Sequence, residues 1–144
     1  MKLTKGFLGT VRHVRKTITF TGAAGAGATG TVVVFTITGR VLVNMFTAFA
    51  STGLTEAGAT STIAFGVTGS TAIFLAQLNS VDIDTDEWWN DTTPDVAAAQ
   101  VDATAIDIAI AADIILTIGT QAVSAGVLVI DIWYTPITDN GALV

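Results

Sequence analysis

Short runs of β-branched and aromatic residues recur along this chain and are separated by turn residues. Within each run, alternate residues form two sets, one for each face of an extended segment. Residues 31–38 place Val33, Phe35 and Ile37 on one side, and residues 127–134 place Asp131 opposite Ile130. Because successive side chains of a strand point to opposite faces, this period of two predicts β-strands. About seven or eight such strands predict an all-β fold, either a β-sandwich or a jelly roll.

The remaining segments continue this pattern, with one exception. We expect a loop at 51–58 and further strands at 16–20, 41–49, 60–67, 71–78, 105–111 and 114–118. Residues 93–100 instead predict one short helix. Thr93 suits its N-cap, Pro94 its first helical position and Asp95 its first turn, where a negative charge is favourable.

The chain has fewer charged and more apolar residues than a small domain needs for a surface that is fully exposed to water. Hydrophobic residues make up 51% of the sequence, charged residues only 12%, and the mean hydropathy is +0.66. A domain of 144 residues leaves much of its surface in water, where most charges normally lie. The sequence contains no uninterrupted run of about 20 apolar residues, so it predicts no membrane span. We therefore predict an assembly subunit, expected to be a homotrimer, with no membrane partner.

Positive charge is concentrated at the start of the chain. The first 16 residues carry a charge of +5, whereas the remaining 128 residues carry −11, with Arg40 as their single base. This division predicts a basic N-terminal arm at 1–15, to which Gly6 and Gly9 give flexibility, and a β-sandwich domain at 16–144. We expect the arm to contact a neighbouring copy or another acidic protein surface, the alternative being a frayed, solvated chain end. The residues expected to make this contact are Lys2, Lys5, Arg12, Arg15 and Lys16.

Nucleic acid is not an expected partner of this arm. Phe7 is the only aromatic residue in it that is able to stack on a base, and the acidic body repels phosphates.

The sequence offers few residues for catalysis, and we predict neither an enzyme nor a bound cofactor. His13 is the only histidine, cysteine is absent, and no G-x-S-x-G motif occurs. The glycines at 25, 27 and 30 match G-x-G-x-x-G, but a predicted strand follows them where a dinucleotide site requires a helix.

Two readings remain for the acidic segment at 82–86. Asp82, Asp84 and Asp86 have the spacing that opens a calcium loop, but Glu87 and Thr93 stand where an EF-hand requires glycine and glutamate. The three aspartates remain candidate ligands of a different calcium site. The alternative is an outward row of aspartates on a strand, with Val81 and Ile83 turned inward.

Adjacent tryptophans follow this segment. We interpret Trp88 and Trp89 as interface aromatics, since tryptophan is enriched in protein interfaces, and such a pair commonly buries one ring in the core. The alternative is a carbohydrate-binding β-sandwich in which these rings and the nearby acids bind a sugar. A sugar-binding module is expected to be monomeric, whereas an assembly subunit is expected to be oligomeric.

Several segments together resemble the capsid decoration proteins of tailed phages, also called cement or auxiliary head proteins. The segments are GTVVVFTITGRVLV at 30–43, IAFGVTGSTA at 63–72, DIILTIGT at 113–120 and IWYTPI at 132–137. The resemblance implies a β-sandwich, often trimeric, that is seated on the virion exterior and braces neighbouring units of the major capsid protein. The basic arm would then lie on the shell or clasp the next subunit. Another virion component, such as a head-fibre base or a tail subunit, is the related alternative.

Overall fold

The computed structural model describes residues 10–58, 60–99 and 106–144, and this part of the chain is almost entirely β-structure. Its strands are β1 (Arg12–Thr19), β2 (Gly30–Phe35), β3 (Ile37–Thr38), β4 (Val41–Glu56), β5 (Thr62–Val67), β6 (Ser70–Asn79), β7 (Glu87–Trp89), β8 (Asp95–Val96), β9 (Ile106–Ile110), β10 (Ile114–Gly119), β11 (Val123–Pro136) and β12 (Ala142–Leu143). One 3-10 turn, Ser80–Asp82, is the only helical element within the described residues, which include no helix capable of crossing a membrane. The predicted all-β class is confirmed.

The strands form two main antiparallel sheets. A six-stranded sheet has the order β1-β11-β4-β7-β8, with β9 also paired to β4, and a four-stranded sheet has the order β2-β10-β5-β6. A small third sheet joins β12 to β3. Strands β4 and β11 are the longest and pair along most of their length, so they form the centre of the larger sheet.

One apolar core joins the two main sheets. Phe46 of β4 stacks on Phe74 of β6 with ring centroids 5.0 Å apart, and its ring lies 5.3 Å from that of Phe65 of β5. Trp89 of β7 is fully buried, and its ring lies 5.5 Å from Phe65. Because aromatic rings bury large apolar areas, these contacts across the sandwich contribute strongly to its stability.

The predicted helix at 93–100 is wrong within the described residues. Asp95 and Val96 form β8 and pair with β7, and a tight turn follows in which the Ala99 N–H donates to the Val96 carbonyl. Asn90 Nδ2 also donates to an Asp95 carboxylate oxygen at 2.8 Å. This side-chain contact and the pairing with β7 hold Asp95 in extended backbone, where it cannot begin a helix.

Two predicted boundaries also need correction. Strand β1 begins at Arg12 rather than at residue 16, so the predicted end of the arm at residue 15 lies inside a strand that pairs with β11. Strand β4 continues to Glu56 through the predicted loop at 51–58. In both places, pairing with β11 extends the strand through a segment in which polar and small residues predominate.

Candidate assembly surface

The outward side of the six-stranded sheet, called the outer face below, is built from alternate residues of four neighbouring strands. Strand pairing arranges these residues in three rows across the sheet. The first row is Thr17, Val129, Phe49 and Trp88; the second is Arg15, Asp131 and Thr47; the third is His13, Trp133 and Met45. The outer face therefore has two rows rich in apolar side chains on either side of a charged row.

The apolar side chains of the outer face are only partly covered in one copy of the chain. The Phe49 and Trp88 rings meet with centroids 4.8 Å apart, and the His13 and Trp133 rings meet at the same distance. The large apolar residues at these positions are all half-buried, namely Met45, Phe49, Trp88, Val129 and Trp133. Such a patch on one side of a small domain is typical of a surface that meets another protein.

A nearly buried carboxylate occupies the middle of the outer face. Asp131 is 7% exposed and accepts two hydrogen bonds from Arg15, from Nε at 2.8 Å and from an η nitrogen at 2.9 Å. His13 Nε2 lies 2.6 Å from the same carboxylate. Burial acts to raise the pKa of Asp131, but the hydrogen bonds from Arg15 and His13 and their charges outweigh it and hold that pKa below its usual value. Asp131 therefore stays ionised and fixes both partners.

A groove runs beside the first row of the outer face. Its volume is about 340 Å³, and its walls are Arg15, Phe49, Ser51, Trp88, Val129 and Asp131. Aromatic rings and a few polar groups thus converge at one place, as they do in many binding sites.

The structure locates part of the predicted basic contact set. Arg12, Arg15 and Lys16 lie on β1, and all three are exposed. Lys16 Nζ donates to the Val34 carbonyl at 2.7 Å and lies 5.8 Å from the Phe35 ring centroid, so this residue ties β1 to β2 of the other sheet. Lys2 and Lys5 lie outside the described residues, and their contacts stay a prediction.

The two adjacent tryptophans point to opposite faces of β7, as successive side chains of a strand do. Trp89 points into the core and is fully buried, so its assignment as an interface aromatic is wrong. Trp88 lies on the outer face, where its indole Nε1 donates to the Ala97 carbonyl at 3.4 Å. Only Trp88 is placed to meet a partner.

The three candidate calcium ligands do not form a cluster. Among the described residues, no group of three or more acidic, histidine or cysteine side chains is arranged to hold a metal ion. Asp82 ends the 3-10 turn, and Asp86 has a positive φ of 63°, so the predicted strand with a regular row of aspartates is absent there. Ile83 is buried as expected, but Val81 is exposed at 43%.

Sequence reasoning missed the cluster formed by His13, Arg15 and Asp131. The alternation in 127–134 predicted an outward Asp131 beside Trp133, but both basic partners lie more than a hundred positions away along the chain. A usable signal was present, since Arg15 and His13 are two residues apart and thus share one face of an extended segment.

Comparison with known protein families gives no match, and comparison with curated protein sequences gives none either. Among solved structures, the chain is similar to one described as the cyanophage Pam1 capsid asymmetric unit. The two are 16% identical in sequence, with a TM-score of 0.47 over 94% of this chain and 91% of the matched chain. At that TM-score, the likeness establishes neither a shared fold nor a shared function.

Proposed function

We propose that this chain is a structural, non-enzymatic subunit of a phage virion that decorates the capsid exterior as a homo-oligomer, expected to be a trimer. The observation that carries the proposal is the outer face, where five large apolar side chains remain half-buried in a single copy. Because only 12% of its residues are charged, the chain has too few charged side chains to make up most of its surface, and contact with another protein would cover the apolar part. Contact between the outer face and the shell would remove these side chains from water.

The composition of the outer face suits such a contact. Its apolar rows supply area, while the ionised Asp131 and its partner Arg15 supply a fixed polar centre that disfavours contact in other orientations. Many weak contacts of this kind, repeated by the symmetry of a shell, add up to firm attachment. No catalytic group is needed.

The sequence adds independent support. Segments 30–43 and 113–120, which resemble phage decoration proteins, form β2, β3, the start of β4 and all of β10. We also propose that Lys2 and Lys5 contact the shell or a neighbouring subunit, since positive charge ahead of an acidic domain favours acidic protein surfaces.

Co-sedimentation with capsid shells tests the proposal. The probe is a shell assembled from the major capsid protein encoded in the same genome, mixed with the purified full-length chain. We expect the wild-type chain to pellet with shells, and we expect Met45→Lys to weaken this binding about tenfold, because a charge would be buried at the contact.

Val33→Lys is the matched control. Val33 is 51% exposed on β2, in the other sheet, and its substitution changes the charge by the same amount without touching the outer face. If the wild-type chain stays in the supernatant, or if both variants lose binding equally, the outer face does not bind the shell. Thermal melting checks that both variants are folded.

Saccharide binding is the second candidate function, and the groove beside Trp88 is the observation that favours it. Sugars stack on aromatic rings and accept hydrogen bonds, and this groove combines Trp88 and Phe49 with Arg15 and Ser51. An array of bacterial surface glycans tests this candidate directly. Binding that is lost in Trp88→Ala but kept in Val33→Lys would support it, and an array without signal for the wild-type chain would reject it.

A further inference from the structure

Opposite edges of the six-stranded sheet carry opposite charge. Strand β1 forms one edge, and Arg12, Arg15 and Lys16 are exposed along it. Asp131 neutralises Arg15, which leaves Arg12 and Lys16 as net positive charges. The edge formed by β1 is called the basic edge below.

The other edge is acidic. The segment that precedes β7 follows the same side of β4 as β7 does, because the Asp86 N–H donates to the Ala50 carbonyl and the Leu54 N–H donates to the Ile83 carbonyl. Strands β7 and β8 then complete this side of the sheet. The exposed carboxylates of this acidic edge are those of Asp82, Asp84 and Asp86.

The two edges are too far apart to neutralise each other within one copy. Strands β11 and β4 separate β1 from β7, and neighbouring strands lie about 4.8 Å apart, so the edges are about 14 Å apart across the sheet. Arg12 is level with Val43 of β4, whereas Asp84 lies beside Gly53, so the strand rise of about 3.3 Å per residue separates these two charges further along the strands. Salt screens exposed charges over about 8 Å under physiological conditions. Within the described residues, both recorded ion pairs involve Asp131, and neither Arg12 nor the three aspartates of the acidic edge form one.

We propose that copies of this chain associate head to tail, with the basic edge of one copy against the acidic edge of the next. This inference rests on the proposed function in requiring an assembly, and it adds which surfaces join the copies. Every copy carries both complementary surfaces, so the contact is heterologous, and rotation between copies closes it into a ring such as the expected trimer. The outer face, which lies between the two edges, remains open toward the shell.

Apolar side chains at both edges add to the charge complementarity. Val11, immediately before β1, is 55% exposed, and Val96 on β8 is 68% exposed. In addition, β1 is an edge strand of the six-stranded sheet among the described residues, and edge strands are common sites of association between chains. A second copy of the chain is the partner that fits the basic edge, because every copy carries the complementary acidic edge.

Charge reversal in sedimentation velocity tests the inference on the full chain. We expect Arg12→Glu and Asp84→Lys each to weaken self-association about tenfold, since each reverses one of the few unpaired charges on its edge and so reduces the attraction. Combined in one chain, they restore the original net charge but leave both edges altered, so association is expected to stay weakened. High salt is expected to weaken the wild-type assembly.

Two control variants match the charge changes at positions away from both edges. Arg40→Glu and Asp139→Lys alter exposed residues in the turns next to β4 and β12, and both are expected to associate like the wild type. The inference is overturned if the reversals behave like these controls, if the combined variant associates like the wild type, which would trace the effect to net charge alone, or if the wild-type chain is monomeric. Shell co-sedimentation judges the outer face separately, so a chain that binds shells as a monomer would refute the edge contact and the oligomeric state while leaving the outer face as the shell-binding surface.

Discussion

The two faces of the six-stranded sheet differ although they are built from the same strands. Along β4, Phe46 and Ala48 face inward and are fully covered, whereas Met45 and Phe49 face outward and keep part of their surface in water. Along β11, Ile130 and Asp131 show the same division, since the apolar side chain is in the core and the charged one is outside. The inward face is completed by the chain itself. The outward face also carries large side chains, and a single copy of the chain leaves them partly in water.

The strongest test of this contrast is a cavity on the inward face. We expect Phe46→Ala to destabilise the folded chain by about 3–5 kcal/mol, because Phe46 is 1% exposed and contacts both Phe65 and Phe74 across the sandwich. Chemical denaturation monitored by tryptophan fluorescence measures the change. A loss below about 1 kcal/mol would show that the two sheets do not pack through these rings.

The next largest effect is expected in the polar centre of the outer face. We expect Asp131→Asn to destabilise the chain by about 1–2 kcal/mol, since the uncharged amide loses the charge-assisted bonds from Arg15 while Arg15 itself remains solvated. Arg40→Gln, which removes a charge from an exposed turn residue, serves as the control and is expected to leave stability unchanged.

The same carboxylate gives a defined dependence on pH. Because the pKa of Asp131 is lower in the folded chain than its usual value of about 3.9, its contribution is fully present above that pH and is lost as the pH falls through the folded-state pKa. The stability difference between the wild type and Asp131→Asn is therefore expected to shrink in acid. A difference that is constant from neutral pH to pH values well below about 3.9 would mean that the ionised carboxylate is not what stabilises the cluster.

Local sequence patterns predicted the faces of strands but not their partners. The alternation in 127–134 correctly placed Ile130 and Ile132 inside and Asp131 and Trp133 outside, because side-chain direction in a strand depends only on position. The same reasoning predicted that one of two adjacent tryptophans would be buried. It did not decide which one, since that depends on the register of Trp89 with Ala48 across the sheet.

Predictions made from a few neighbouring residues were wrong where strand pairing between distant segments determines the structure. Residues 12–15 have the composition of a solvated basic arm, yet β11 supplies both a backbone partner and the carboxylate of Asp131, which turns this segment into an edge strand. Thr93 and Pro94 have the residue types of a helix start, but the Thr93 N–H instead donates to the side chain of Asp91 at 2.6 Å, and Asp95 pairs with β7. The candidate assembly surface depends on β1, so it could be recognised only after the fold was known.

The smallest expected effect on stability, and the sharpest test of the contrast, comes from an outward residue of β4. Phe49→Ala removes a half-buried ring whose principal aromatic contact is Trp88, so we expect a loss of about 1 kcal/mol, well below that of Phe46→Ala three residues earlier. Binding to capsid shells is expected to reverse this order: Phe49→Ala weakens it strongly, because interface energy concentrates in a few large apolar residues. Phe46→Ala, measured where it remains folded, should bind nearly as the wild type does. If instead both variants lose binding in proportion to their loss of stability, the outward aromatic residues act only in folding, and the outer face is not a contact surface.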